Sequence, residues 1–417
     1  MTTKRGTRRT FTPPDGVRLA YFALIALWLF FPFLIRENLG QDALPYMVAG
    51  QMASEHPDDV YASENGDLYR LRPTFAARSC ELAPPGTDCA NLTVAYVATP
   101  FALPLAVALA PLGGDWGTFV LRLVGAAALS GGMWILWTRL AHRTRRAGHL
   151  MVVTALLLTP FAMAPIALGQ TSQLLFLSAC LGITRAEGRR GALAAALWVA
   201  TVAIKIFPAT LALVLLWQRR WRFLVWSIAW TAILAVLTLL VAPTSVWADF
   251  VKASTQLAGQ TNWNLYNGSI DALVHNLASP ITDSQAGSLA LLLVRILGAG
   301  ALAVWAARHA DEDTQWAYAL LLTLLLVPLV WWHYLWIAVA AVAVALAGRV
   351  ELDDRTLGVL PVLAAITIPI SILTGRDGYV PVAQGLFLIA AVALVPVLVT
   401  GWSVRGPRRA TATPDVT

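Results

Sequence analysis

Charge is scarce in this chain. Asp, Glu, Lys and Arg make up 13% of its 417 residues, roughly half the share of an ordinary soluble domain. A soluble fold this poor in charge would leave apolar surface in water, so a soluble enzyme and a disordered chain are both excluded. Cysteine is scarce too. The three present, Cys80, Cys89 and Cys180, include no CxxC pair, so neither a disulfide scaffold nor a cysteine zinc site is available. The six histidines are scattered, without HExxH or any other metal-ligand spacing. There is no Gly-rich phosphate loop and no heptad repeat, which removes a nucleotide-binding fold and a coiled coil from consideration.

What the chain has instead is hydrocarbon. Hydrophobic residues reach 58% and recur in runs of about 18 or more, the length that crosses a bilayer as a helix. Only helices or closed barrels satisfy their backbone inside lipid, and runs this long exclude a barrel. The fold class is therefore an all-α polytopic membrane protein.

Charge placement orients it. The net charge of +7 points to no nucleic-acid partner, because Lys and Arg cluster in short segments between apolar runs, as the positive-inside pattern requires. With those segments cytoplasmic, the chain divides into a cytoplasmic N-terminal segment (1–18), one membrane domain (19–402) and a disordered cytoplasmic tail (403–417). About 12 spans alternate between, with both termini in the cytoplasm. The first span covers Leu19 to Ile35. Two long extracytoplasmic loops follow from this topology, 36–115 and 242–284. The apolar but proline-bearing run 98–112 is short and reads as re-entrant or juxtamembrane rather than as a span. Cys80 and Cys89 share the first loop. If that compartment is oxidising they can close a small ring, worth about 2–3 kcal/mol; otherwise they are two thiols nine residues apart.

Under this topology the unusual polar residues gather on the outer side, and polar groups at membrane depth mark a pathway or a site. Asp42, Tyr46 and Gly50 fall at helical spacing after the first span. Asp42 can do proton chemistry, sit solvated beside Asp58 and Asp59, or cap the helix that starts after it. Gln170 and Gln173 lie at the second outer turn. Lys205 stands alone between apolar flanks, either snorkelling to the interface or facing a lipid phosphate. Asn267 lies in the polar run of the second loop, and Trp332 and His333 in a Trp-Trp-His-Tyr turn. His333 belongs either to an aromatic belt or to a phosphate or sugar contact. Arg122 and Arg295, inside predicted spans, bind phosphate or pair within the bundle.

Taken in order, these pieces resemble a known superfamily. The Asp-x-x-x-Tyr-x-x-Ala-Gly pattern (Asp42, Tyr46, Ala49, Gly50), the stretch YVATPFALPLAVALAPL, the Gly169-Gln170 turn, AIKIFPATLALVLLWQRRWR and the tryptophan-flanked His333-Tyr334 are similar to the GT-C polyprenyl-phosphate-sugar glycosyltransferases. The nearest likeness is to glycosyltransferase family 87, which includes actinobacterial α-mannosyltransferases acting on phosphatidylinositol mannosides and lipomannan.

The resemblance implies a GT-C fold and a cell-membrane enzyme with its site on the extracytoplasmic face. It implies transfer of a sugar, most readily mannose, from a polyprenyl-phosphate donor to a glycolipid or lipoglycan acceptor. Asp42 then acts as general base, and Lys205 and His333 hold the donor phosphate. Tyr46, Gln170, Gln173, Asn267 and Trp332 line the pocket. Because the leaving group is already a phosphate, this scheme needs no acid opposite the base. The resemblance implies no cofactor beyond the lipid-linked donor and no divalent metal is expected, although Asp42, Asp58 and Asp59 leave one open. Two alternatives remain open at this point: the same chemistry with arabinofuranose, and a flippase or secondary transporter for lipid-linked intermediates.

Overall fold

The computed structural model describes residues 42–61, 70–83, 95–141, 166, 168–170, 172–183, 188–259, 267, 269–310, 312–327, 330–331, 334–338 and 340–341. The expected first span, Cys89, Trp332, His333, the last two spans and the tail lie outside the described residues.

Among the described residues the chain is helical, with one isolated antiparallel bridge between Asn267 and Trp331. The first loop holds α1 (Leu44–Glu55), α2 (Pro73–Leu82) and α3 (Leu103–Leu109). The run 98–112 is α3 flanked by 3-10 turns. By itself α3 is about 10 Å long, but with the turn after it and the helix that follows it forms part of a stretch long enough to cross a bilayer. Gly113, at φ 70, breaks the chain direction and starts α4 (Gly113–Ala141), 29 residues long. Then come α5 (Ser172–Ile183), α6 (Gly188–Ile204), α7 (Leu211–Trp217) and α8 (Trp221–Val241). The second loop, expected as a polar connection, is itself helical: α9 (Ser245–Gly259) and α10 (Ile270–Thr282). The described part closes with α11 (Gln285–His309) and α12 (Glu312–Leu325).

Among the described residues, three stretches are long and apolar enough to cross a membrane: Pro100–Leu136, Trp221–Val241 and Gln285–His309. Their outer faces argue the same way. On α8, Ile228, Val236, Leu239 and Leu240 are exposed, as are Leu289, Val294 and Leu297 on α11. A row of exposed aliphatic side chains is stable only against hydrocarbon. The protein is a polytopic helical membrane protein.

The main core lies where α4, α5, α6 and α12 meet the segment around Trp336. A Cβ on Gly132 of α4 would stand 2.5 Å from the Phe176 ring, the kind of close helix approach that small residues permit in bundles. A second core joins α1 and α3 to the ends of α6 and α8. It ties the first loop to the membrane helices and so positions the site.

Arg295 settles one of the open readings. It is buried on α11, where its guanidinium pairs with Asp271 of α10 and donates to the Leu326 carbonyl at 2.9 Å. This is bundle pairing. Removing one partner strands a buried charge, so Asp271→Asn is expected to destabilise the fold by about 3–5 kcal/mol. Thermal unfolding in detergent checks it, against an Arg295→Met/Asp271→Leu double variant expected to lose less.

Candidate active site

Asp42 does not begin the helix it precedes. The residue at the cap of α1 is Ala43, with no side-chain cap bond, so Asp42 occupies the turn just before. Its carboxylate reaches instead across 128 residues of sequence, where Gln170 Nε2 donates to Oδ2 at 2.5 Å. The capping reading fails and leaves a carboxylate held by tertiary structure.

Two glycines make that placement possible. Gly169 has φ 73, and a Cβ there would lie 2.8 Å from the Ala43 Cβ. Only glycine both adopts this backbone at little cost and admits the approach. The Gly-Gln turn thereby presses directly on the residue beside Asp42. On the other side of α1, a Cβ on Gly50 would stand 2.2 Å from the Ala106 carbonyl oxygen of α3. The Gly50 of the Asp-Tyr-Ala-Gly pattern is therefore a backbone contact rather than a ligand contact.

Lys205 stands where α6 ends. Helix termination leaves carbonyls without partners, and that of Ala203 is taken by Thr99, whose N–H donates at 3.0 Å and whose Oγ1 donates at 2.6 Å. Trp198 Nε1 closes the turn by donating to the Pro208 carbonyl at 2.9 Å. The lysine is aimed inward, not snorkelled away: its ammonium donates to the Tyr334 hydroxyl and lies 3.9 Å from that ring's centroid.

Asp42, Tyr46 and Lys205 keep some accessible surface although protein surrounds them. Burial raises the Asp42 carboxyl above its ordinary range, against the opposing pull of Lys205 and the Gln170 bond. Burial lowers Lys205 to about 7, with Asp42 pulling it back up. Burial and the neighbouring Asp42 charge both raise the Tyr46 hydroxyl. A carboxylate and an ammonium thus act on each other through buried surroundings, each more easily neutralised than in water.

The other expected residues divide. Gln170 touches Asp42. Tyr46 packs edge-on against Tyr96, with centroids 5.6 Å apart. Gln173 is fully buried, its Oε1 beside Gly125 of α4 and next to the Gln170 carbonyl. Asn267 is 2% exposed, and its Oδ1 accepts from the backbone N–H groups of Ser269 (3.0 Å) and Val330 (2.9 Å). That makes it a clasp between two segments.

Trp332 and His333 lie outside the described residues, as does Cys89, and with it the expected Cys80–Cys89 pairing. Asp59, a competitor to Asp42, is bound by Arg72 and Thr74, both at 2.7 Å, and the Arg72 bond holds its carboxyl below the usual range. No group of three or more His, Cys, Asp or Glu suited to a metal ion occurs among the described residues. Sequence reasoning passed over Thr99. A threonine before a proline, in a stretch already singled out, was the available signal.

With this geometry in view, the family model for glycosyltransferase family 87 matches residues 96–330, more than half of the chain. The chain belongs to glycosyltransferase family 87. The match contains Gln170, Lys205 and Asn267; Asp42 and Tyr46 precede it and Tyr334 follows it. This family 87 chain is a membrane glycosyltransferase. No curated protein matches it closely enough to count as a relative. Two solved structures of ArnT from Cupriavidus metallidurans align over 93% of the family 87 chain and 78% of their own. The apo state does so at 13% identity and TM-score 0.44, and the form bound to undecaprenyl phosphate at 15% and 0.41. Likeness that distant carries no residue or ligand across.

Proposed function

We propose that this glycosyltransferase moves mannose from a polyprenyl-phosphate donor to a glycolipid or lipid-linked glycan acceptor on the extracytoplasmic face, with inversion, and with Asp42 as general base. What supports the reading is the electrostatic influence of Asp42 and Lys205 on each other, with the carboxylate held by Gln170. An acceptor hydroxyl attacks the anomeric carbon while its proton passes to Asp42. The bond from that carbon to the phosphate oxygen breaks, and the electron pair stays on the phosphate. Lys205 holds that phosphate, together with His333. A raised carboxyl suits a base, since proton transfer is most effective when its pKa approaches the working pH. One displacement at one carboxylate inverts the centre; no second carboxylate is needed to form a covalent intermediate. The topology consistent with this puts both long loops of the membrane domain 19–402 on the extracytoplasmic side, with both termini in the cytoplasm.

Two titrations bound the activity. Asp42 must be ionised, so the acid limb of kcat/KM is expected above the ordinary carboxylate range. Lys205 must be protonated, so activity falls as pH rises through about 7. A bound donor phosphate favours the ammonium, so the alkaline limb of kcat is expected at higher pH than that of kcat/KM. The function itself is tested by giving membranes that carry the protein a panel of polyprenyl-phosphate mannose, arabinofuranose and glucose with a mannosylated lipid acceptor. Product mass and anomeric configuration are the readouts. Mannose transfer with inversion is expected; transfer from none of the three, or retention of configuration, would overturn the reading.

A further inference from the structure

The partner that holds Lys205 is itself held, and the chain of contacts runs well beyond the lysine. Tyr334 accepts a hydrogen bond from the Lys205 ammonium, and the same ammonium lies over its ring. The ring packs on Phe207, two residues beyond Lys205, with centroids 5.6 Å apart. The Tyr334 backbone N–H donates to the Trp331 carbonyl at 2.7 Å. Trp331 forms the isolated bridge with Asn267, whose Oδ1 also takes the Val330 N–H at 2.9 Å. Asn267 is in turn fixed through Ser269, which caps α10 by accepting from the Ala272 N–H at 3.1 Å. Asn267 and Tyr334 are thus links in one clasp that starts at a helix cap and ends on the lysine.

We infer that Tyr334 is the positioning residue for Lys205, aiming its ammonium at the donor phosphate and keeping it charged, with Asn267 locking the Tyr334 segment in place. The chemistry follows from what surrounds the lysine. A flexible four-carbon stem leaves the ammonium free to wander, and apolar surroundings favour its neutral form. A phenol answers both: its oxygen accepts one N–H, which fixes the ammonium and favours its charged form. It adds no negative charge that would repel a phosphate, as a carboxylate partner would. The titratable groups facing Lys205 among the described residues are Asp42, which acts on it electrostatically, and Tyr334.

This inference rests on the reading of Lys205 as the phosphate holder, and the test separates the two. Purified full-length Tyr334→Phe, Asn267→Ala and Lys205→Met are compared with the unmodified protein, using polyprenyl-phosphate mannose across pH 5 to 9. Tyr334→Phe keeps the ring but loses the oxygen. Its donor KM is expected to rise about 10-fold, one charge-assisted hydrogen bond's worth. Its alkaline limb is expected to move to lower pH, while the acid limb set by Asp42 and the melting temperature stay in place. Asn267→Ala is expected to shift KM and the alkaline limb in the same direction. If Lys205→Met raises donor KM but Tyr334→Phe leaves KM and the alkaline limb unchanged, the positioning role is overturned while the proposed function stands. If Lys205→Met itself leaves KM and transfer unchanged, the phosphate-holding role of Lys205 falls.

Discussion

Asp42→Asn is expected to lower kcat about 10²–10⁴-fold, the usual worth of a positioned general base. The substitution keeps an oxygen that can accept from Gln170, so the turn before α1 should survive and the loss should be chemical. The assay belongs near pH 6. Removing the carboxylate takes away the charge that favours the Lys205 ammonium, which then loses its proton at lower pH; at pH 7 a binding defect would mix with the catalytic one. Asp59→Asn is the control. It breaks the Asp59–Arg72 pair, whose side chains are 25% and 41% exposed, a contact worth about 0–1 kcal/mol, and it should leave transfer intact. Full activity in Asp42→Asn, or equal losses in both variants, would remove Asp42 from the mechanism.

A structural effect that also reaches the candidate site is expected at Gly50. Its missing Cβ faces the Ala106 oxygen and carbon at 2.2 and 2.4 Å and the Val107 nitrogen at 2.8 Å. All three are backbone atoms, so no rotamer change can make room, and Gly50→Val must drive α1 off α3. Overpacking of this kind costs about 1–3 kcal/mol, and here the upper end is expected. The displacement also travels to Asp42, one turn before the helix, where a shift of about 1 Å can cost about 10²-fold in rate. Thermal unfolding and single-turnover transfer together check it. Gly300→Ala, on α11 with nothing within 4 Å of the added methyl, should be neutral or slightly stabilising. A Gly50→Val protein that melts and turns over like that control would dissolve the account of how α1 is held.

Much of the fold is written in the order of residues because each span is a local decision. The run from Phe223 to Val241 must be a helix in lipid whatever surrounds it, since its backbone has no other partner there; α8 covers Trp221–Val241. The break at Lys205 was equally legible, as a polar residue three positions before a proline, and α6 ends one residue earlier. The second long loop was not. Its helices α9 and α10 are short and carry polar residues, and their order depends on packing against Tyr61, Phe101 and α11.

The candidate site shows the same division at finer grain. Sequence alone determined a polytopic helical membrane protein, singled out Asp42, Gln170 and Lys205, and pointed to glycosyltransferase family 87 through motifs in a fixed order. Only the tertiary structure decided that Asp42 is bound by Gln170 rather than capping α1, that Arg295 pairs with Asp271, that Gln173 is fully buried against α4, and that Asn267 is a clasp. Local propensity and hydropathy are properties of neighbours along the chain. Which polar group satisfies another is settled by groups brought together from 24 to 129 residues away, once burial has made an unpaired polar atom costly.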